Sequence, residues 1–190
     1  MSGLAGRLDG ASNVLLASPS MGGSREVCST LLTEGLDRPN VLFVSFTRSA
    51  SACLSQWEDL DAEAENLAVV AVGTDGSVDR ADVTTRTLSS PSDLTGLGVA
   101  IGGILEDWEA PVAVCFDSLT AMLQYVEFET AYEFCHAVTG QFHAAGARAH
   151  FHVDPQALDP RHVAGLTSLV DARVDAGEDA PTVRTRDVIE

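Results

Sequence analysis

Short apolar segments alternate with segments of helical periodicity along almost the whole chain. Apolar runs of this kind are typical of parallel strands that helices cover on both faces of a sheet. The alternation therefore predicts one α/β domain over residues 1–190, with three layers, a mainly parallel sheet and a flexible segment over residues 1–12. The predicted strands cover residues 14–17, 40–46, 67–72, 112–116 and 149–153.

Apolar residues at helical spacing predict helices between these strands. Ser90 is expected as the N-cap of one helix, with Pro91 at its first position. The glycines of that helix suggest close packing against the sheet, whereas the polar residues 74–86 are expected to form a loop. The other helices are predicted at residues 24–34, 49–60 and 128–146, and an antiparallel hairpin is predicted from residues 169–175 and 182–188.

The segment from Asn13 to Arg25 has the strand–loop–helix frame of a phosphate-binding loop, G-x-x-x-x-G-K-[ST]. Ser18 stands at the first glycine position and Gly23 matches the second. Ser24 replaces the lysine that reaches the phosphates, and Arg25 replaces the hydroxyl residue that holds Mg²⁺. The frame predicts where a nucleotide would bind, and the substitutions predict that it is not hydrolysed there.

A second element of such a site is the apolar strand that ends at Asp117. A buried strand that closes on an acid is the pattern in which a carboxylate supports the Mg²⁺ shell. Many buried strands end in aspartate, so the pattern gains its weight from the phosphate-loop frame upstream.

Three segments, NVLLASPSMGGSREV, VLFVSFTRS and VAVCFDSLTAM, resemble the KaiC/RadA branch of the RecA-like ATPases. The resemblance extends from Asn13 to about Val188 and includes the C-terminal hairpin. It implies a RecA-like three-layer fold, with helices on both faces of a mainly parallel sheet. Members of this group assemble into rings or filaments and bind ATP at subunit interfaces.

The resemblance transfers residue by residue to the nucleotide site. Gly22 and Gly23 match the glycine-rich turn, in which Ser20 also lies, and Asp117 matches the acid on the Mg²⁺ side. The lysine and hydroxyl positions hold Ser24 and Arg25. The catalytic glutamate of the group follows the "VSF" strand, where this chain has Thr47 and Arg48. The lysine that holds the phosphates, the hydroxyl that binds the metal and the glutamate that acts as the base are all absent. Their combined absence predicts a pseudo-ATPase.

We therefore expect a non-catalytic module that acts in protein interaction, regulation or signalling, and no required cofactor. Its partner would be a second copy of itself or an active relative. The alternative is a weak ATP-binding protein or a slow ATPase that uses Mg²⁺ and an altered loop.

Three arginines have competing interpretations. Arg25 either substitutes for the missing lysine and binds a phosphate or is a solvated residue paired with a nearby acid. Arg184 and Arg186 lie two residues apart on the last predicted strand. The resemblance implies that such residues reach a neighbouring subunit's nucleotide, whereas protection of an edge strand by charge is the preferred interpretation.

His150, His152 and Asp154 alternate along one predicted strand and share a face. This spacing is compatible with metal ligation, although histidines that simply face the cleft are the preferred interpretation. The chain also has 4 cysteines, namely Cys28, Cys53, Cys115 and Cys135, with no C-x-x-C pair. We expect them to be small core residues in a reducing compartment.

The formal net charge is −17, from 28 acidic and 11 basic residues, and every basic residue is arginine. An acidic surface without lysine is typical of haloarchaeal proteins in a cytosol kept at high salt, which screens self-repulsion. Nucleic-acid binding is not expected, since no basic stripe exists to neutralise phosphates. No signal core and no membrane-length apolar run are present, which predicts a cytoplasmic protein without membrane contact.

Overall fold

The computed structural model describes residues 3–19 and 23–186. Its strands form one eight-stranded sheet in the order β4-β3-β2-β5-β6-β1-β7-β8. Every neighbouring pair is parallel except β7 and β8, which form the C-terminal antiparallel hairpin. The strands are β1 Asn13–Ala17, β2 Asn40–Ser45, β3 Leu67–Val72, β4 Val83–Leu88, β5 Val112–Asp117, β6 Ala147–Val153, β7 Ala172–Asp175 and β8 Thr182–Thr185.

Helices cover both faces of the sheet, so the predicted three-layer α/β fold with a mainly parallel sheet is confirmed. The helices are α1 Leu4–Arg7, α2 Ser24–Thr33, α3 Ala50–Glu58, α4 Leu94–Leu105, α5 Leu119–Met122, α6 Phe128–Ala144 and α7 Pro160–Thr167. One core lies between the sheet and α1, α2 and α3, and the other lies between the sheet and α4 to α7. No described helix combines the length and the apolar character that a membrane crossing requires.

Phenylalanine rings organise the core on the side of α4 to α7. The ring of Phe116 is fully buried, and its centroid lies 5.3 Å from that of Phe151, 5.8 Å from that of Phe46 and 6.2 Å from that of Phe134. Tilted aromatic pairs at such distances add to the stabilisation that burial alone provides. The ring of Phe116 therefore anchors the strand that ends at Asp117 in this core.

The segment before β1 was expected to be flexible, but residues 3–12 pack onto the body of the domain. Helix α1 contacts α2, and Leu8 is only 3% exposed. The backbone amides of Ser12 and Asn13 donate to Asp171 Oδ2 over 3.0 and 2.8 Å. The buried side chain of Leu8 and the two hydrogen bonds to Asp171 together fix the position of the segment that leads into β1.

Part of the region predicted as a polar loop is an edge strand, and this prediction was wrong. β4 pairs in parallel with β3 from Val83 to Leu88. Only Val83 is buried in this strand, because other parts of the domain cover little of the surface of an edge strand. Its threonines and Arg86 therefore resembled a loop in the sequence. Helices α5 and α7, which are short, were also not predicted.

The helix α4 begins at Leu94, later than its sequence suggested. Its N-cap is Asp93, which accepts a hydrogen bond from the Gly96 amide over 2.9 Å, so Ser90 and Pro91 precede the helix. The expected close packing of its glycines against the sheet is found at Gly96, where a Cβ atom would lie 2.9 Å from Leu88 Cδ2 in β4, but not at Gly98. A Cβ atom at Gly98 would lie 3.9 Å from the ring of Phe134 in α6, so this position faces a neighbouring helix.

We predict that Phe116→Ala lowers the free energy of unfolding by about 3–5 kcal/mol, because it leaves a cavity in the ring cluster. Val99→Ala is the matched control: Val99 is 71% exposed and its loss should cost less than about 0.5 kcal/mol. Chemical denaturation of both variants measures the difference. Equal losses would contradict the described core.

Candidate functional site

The carboxyl ends of four neighbouring parallel strands, β2, β5, β6 and β1, meet at one edge of the sheet. In open α/β sheets, ligands bind in the crevice outside these ends. A cavity of about 350 Å³ lies there. The residues that line it include Ser18, Ser24, Thr47, Asp117, His152 and Asp154. The structure thus brings four of the predicted site residues together at this cavity, namely Ser24, Asp117, His152 and Asp154.

The loop after β1 is described only in part, because Ser20, Met21 and Gly22 lie outside the described residues. Gly23 precedes α2 with φ of +55°, in the left-handed region that favours glycine. A Cβ atom at this position would overlap the backbone carbonyl of Gly177 in the turn between β7 and β8. The glycine therefore allows the loop to pack against the hairpin.

An ion pair occupies the position predicted for the metal-side acid. Arg48 Nε lies 3.1 Å from Asp117 Oδ2, and Thr47 Oγ1 donates to the same oxygen over 2.9 Å. The side chains of Arg48 and Asp117 are 31% and 19% exposed. Each of the two residues in place of the glutamate therefore contacts Asp117.

Further contacts fix the Arg48 side chain and its backbone. Its Nη1 donates to Gln56 Oε1, and its backbone amide donates to Ser45 Oγ over 2.9 Å. Burial opposes the charged guanidinium, but neighbouring groups that include the Asp117 carboxylate outweigh it and raise the pKa of Arg48. Arg48 is thus a fixed cation at this edge of the sheet.

Arg25 makes the surface ion pair that was one of its two interpretations. Its Nη2 lies 2.8 Å from Asp59 Oδ2, and the two side chains are 71% and 63% exposed. Exposed pairs of this kind contribute about 0–1 kcal/mol. Arg25 also lines a second cavity of about 570 Å³, which shares Ser24, Asp117 and His152 with the first.

The two C-terminal arginines lie on and after the edge strand β8. Arg184 Nε lies 3.9 Å from Asp175 Oδ2, and its side chain is 76% exposed. Arg186 follows the strand, and its Nη1 donates to the backbone oxygen of Ser168 over 3.1 Å. Both contacts are within the domain, in keeping with charge at an exposed sheet edge.

A group of four side chains, here called the Cys–His cluster, lies beneath the cleft: Cys28, Cys115, His150 and His152. His150 Nε2 lies 3.1 Å from Cys28 Sγ, the two Sγ atoms are 3.7 Å apart, and Cys115 Sγ lies 3.4 Å from His152 Nε2. His152 also lines both cavities, whereas His150 is fully buried.

The cluster differs from the metal site that the sequence suggested. His150 and His152 do share a face, but Asp154 is not in the group. The backbone amide of Asp154 donates to Thr120 Oγ1 over 2.8 Å, and its Oδ1 accepts from the Gln156 amide over 2.9 Å. Two of the cysteines expected to be simple core residues take its place.

The side chains of the cluster shift one another's protonation. The Cys115 thiol donates a hydrogen bond that, together with His150, lowers the pKa of Cys28 well below its usual value. The same hydrogen bond and burial raise the pKa of Cys115. Burial lowers the pKa of His150; it also opposes charge on His152, but contact with Cys28 raises that pKa. Cys28 is thus the more acidic of the two thiols in the cluster.

Cys135 is a useful contrast within the same chain. It lies in the core on the side of α4 to α7, and burial alone raises its pKa to about 12. Unlike the cysteines of the cluster, it is a small apolar core residue, as the sequence analysis expected for all four.

Comparison with solved structures supports the fold. The structure is similar to that described as a structural study of Project ID PH0250 from Pyrococcus horikoshii OT3, with a TM-score of 0.64 and 13% identity. The match covers 93% of this chain and 87% of that one. At this identity the likeness concerns the fold alone.

Comparison of sequences gives a family. No curated protein matches the sequence. A family model, described as a family of unknown function, matches residues 11–176, which contain β1 to β7, the Arg48–Asp117 pair and the Cys–His cluster. The chain belongs to this family, DUF7504.

Proposed function

We propose that the protein is a non-hydrolysing relative of the KaiC/RadA branch of RecA-like ATPases, and that it acts through protein contacts in regulation or signalling. The observation that carries this proposal is the ion pair between Arg48 and Asp117. In this pair, Arg48 binds the Asp117 carboxylate, which would otherwise support a Mg²⁺ ion. The partner we propose is a second copy of this chain or an active relative.

A magnesium ion and the Arg48 guanidinium compete for the same carboxylate. Mg²⁺ requires near-octahedral oxygen ligands at about 2.0–2.1 Å. Here Asp117 Oδ2 already accepts from Arg48 and from Thr47. Two like unit charges 4 Å apart near a protein surface repel by about 4 kcal/mol, and the double charge of Mg²⁺ increases this. The arrangement therefore disfavours a metal–phosphate complex.

The other replaced groups support the same proposal. Ser24 begins α2 where the phosphate-binding lysine would lie. Arg25, at the position of the hydroxyl ligand, is paired with Asp59 on the surface. Phosphoryl transfer depends on positioning and charge stabilisation by these groups. A site without the lysine, the hydroxyl and the glutamate lacks three separate contributions to catalysis.

The alternative is weak ATP binding through the remaining frame. The observation in its favour is the cavity of about 350 Å³ beside the N-terminus of α2, since a helix N-terminus favours anions. The proposed module requires no nucleotide, whereas the alternative protein binds ATP weakly or hydrolyses it slowly. The two functions differ in a direct binding measurement.

We predict that millimolar ATP with Mg²⁺ does not raise the melting temperature in concentrated KCl. A ligand at a hundredfold excess over its Kd would stabilise the fold by about 2.7 kcal/mol. For a domain of this size that corresponds to roughly 5–10 °C. A shift of this size would show that the altered loop still binds nucleotide and would favour the alternative.

The matched positive control restores the replaced groups in one variant, Ser24→Lys, Arg25→Thr and Arg48→Glu. This variant removes the cation from Asp117 and supplies the lysine, the hydroxyl and the acid. It should show a larger rise in melting temperature with Mg²⁺ and ATP than the wild-type protein does.

We also propose that the protein is adapted to high salt. Several surface arginines are already paired with acids: Arg38 lies 3.3 Å from Glu65, and Arg80 lies 2.8 Å from Glu58. With 28 acidic residues against 11 basic ones, most carboxylates have no cationic side chain to balance them. Their mutual repulsion then depends on the ions in solution.

We predict that raising KCl from about 0.15 M to about 1 M increases the midpoint of thermal unfolding, because the screening length falls from about 8 Å to about 3 Å. Calorimetry at several KCl concentrations measures the effect. A midpoint that stays constant or falls would contradict the proposed salt adaptation.

A further inference from the structure

We propose that the Cys–His cluster binds one Zn²⁺ ion through Cys28, Cys115, His150 and His152. The site is closed, with four protein ligands, and its role is to fix α2 against the sheet. It does not depend on the proposed function, because the cluster lies beneath the nucleotide-type cleft and shares no residue with the Arg48–Asp117 pair.

The ligand atoms already have nearly the spacing that tetrahedral zinc requires. Zn–S bonds of about 2.3 Å and Zn–N bonds of about 2.0–2.1 Å place two sulfurs about 3.8 Å apart, and a sulfur and a nitrogen about 3.5 Å apart. The two Sγ atoms are 3.7 Å apart, and the two Sγ–Nε2 contacts measure 3.1 and 3.4 Å. All four ligand atoms lie within 4.8 Å of one another, so the longest pair has to close by at most about 1.5 Å.

The backbone explains why these side chains converge. Cys115 and His150 are register partners on the adjacent parallel strands β5 and β6, so their side chains lie on the same face. His152 is two residues further along β6 and shares that face. Cys28 belongs to the buried stripe of α2, which packs over it. Four ligands thus come from three elements that the fold already holds together.

The buried surroundings of the cluster suit a zinc site without net charge. His150 is fully buried, and its Nδ1 has no hydrogen-bond partner among the described residues. Its Nε2 is the ring nitrogen that has a polar neighbour, Cys28 Sγ, and it is the atom that would bind the ion. Two thiolates would also neutralise the charge of Zn²⁺, so the buried site would carry no net charge.

The ligand types select the metal class. Thiolate and imidazole in a tetrahedral arrangement favour zinc over the hard, oxygen-preferring cations Mg²⁺ and Ca²⁺. Zinc sites with four protein ligands are structural, whereas catalytic sites keep a position open for water. The proposed ion would therefore bind α2 to β5 and β6 and shape the floor of the cleft above.

The test uses the full chain, purified under reducing conditions, stripped with a chelator and reloaded with Zn²⁺ or with Co²⁺ as the spectroscopic probe. We expect one equivalent of Zn²⁺ to remain after desalting and to raise the melting temperature. Co²⁺ should give the intense visible bands of a tetrahedral ion and a thiolate charge-transfer band. No retained zinc, an octahedral Co²⁺ spectrum, or a Cys28–Cys115 disulfide that persists under the reducing conditions would each overturn the proposal.

Variants identify the ligands. Cys28→Ser and His152→Ala should each weaken zinc binding more than about tenfold and reduce the cobalt bands. Cys135→Ala and Asp154→Ala are the matched controls, since both residues lie outside the cluster; they should retain one equivalent. Unchanged binding in Cys28→Ser would overturn the assignment. If a ligand variant does not fold, the wild-type cobalt spectrum alone decides the outcome.

Discussion

The parallel register of β1, β2, β5 and β6 is the constraint from which the rest of the structure follows. It places the carboxyl ends of four strands along one edge, so residues far apart in sequence meet there. Ser45 pairs with Asp117 in the register of β2 and β5, which brings Thr47 and Arg48 to that carboxylate. Cys115 pairs with His150 in the register of β5 and β6. A slip of one residue would separate both groups.

The Arg48–Asp117 pair and the Cys–His cluster lie at this edge of the sheet in an outer and an inner layer. The Arg48–Asp117 pair lines the open cavities, and the positive charge of Arg48 opposes the binding of a Mg²⁺ ion with its phosphate ligand. The Cys–His cluster lies below it, and His152 reaches both layers. We propose that the cleft does not bind nucleotide and that the cluster beneath it binds zinc through thiolate and imidazole ligands. Both properties suit a domain that acts through its surface and not through catalysis.

Much of the fold could be predicted from the sequence, because buried strands and amphipathic helices carry their own periodicity. β3 is found at its predicted bounds, and the apolar stripe of α2 is buried as expected. The edge strand β4 could not be recognised, since exposure gives it the composition of a loop. The contact of Arg48 with Asp117 follows from strand order, which periodicity does not specify. The two histidines of the cluster were candidates from the sequence, but its cysteines were missed for the same reason: Cys28 joins it only through helix packing, and an isolated cysteine resembles any small core residue.

The claim that this cleft does not turn over nucleotide is tested most directly by phosphate release. The protein, freed of contaminating ATPases, is incubated with ATP and Mg²⁺ in concentrated KCl beside Asp117→Ala. Our account predicts no release above background and no difference between the two proteins. Steady release by the wild-type protein that Asp117→Ala abolishes would contradict it.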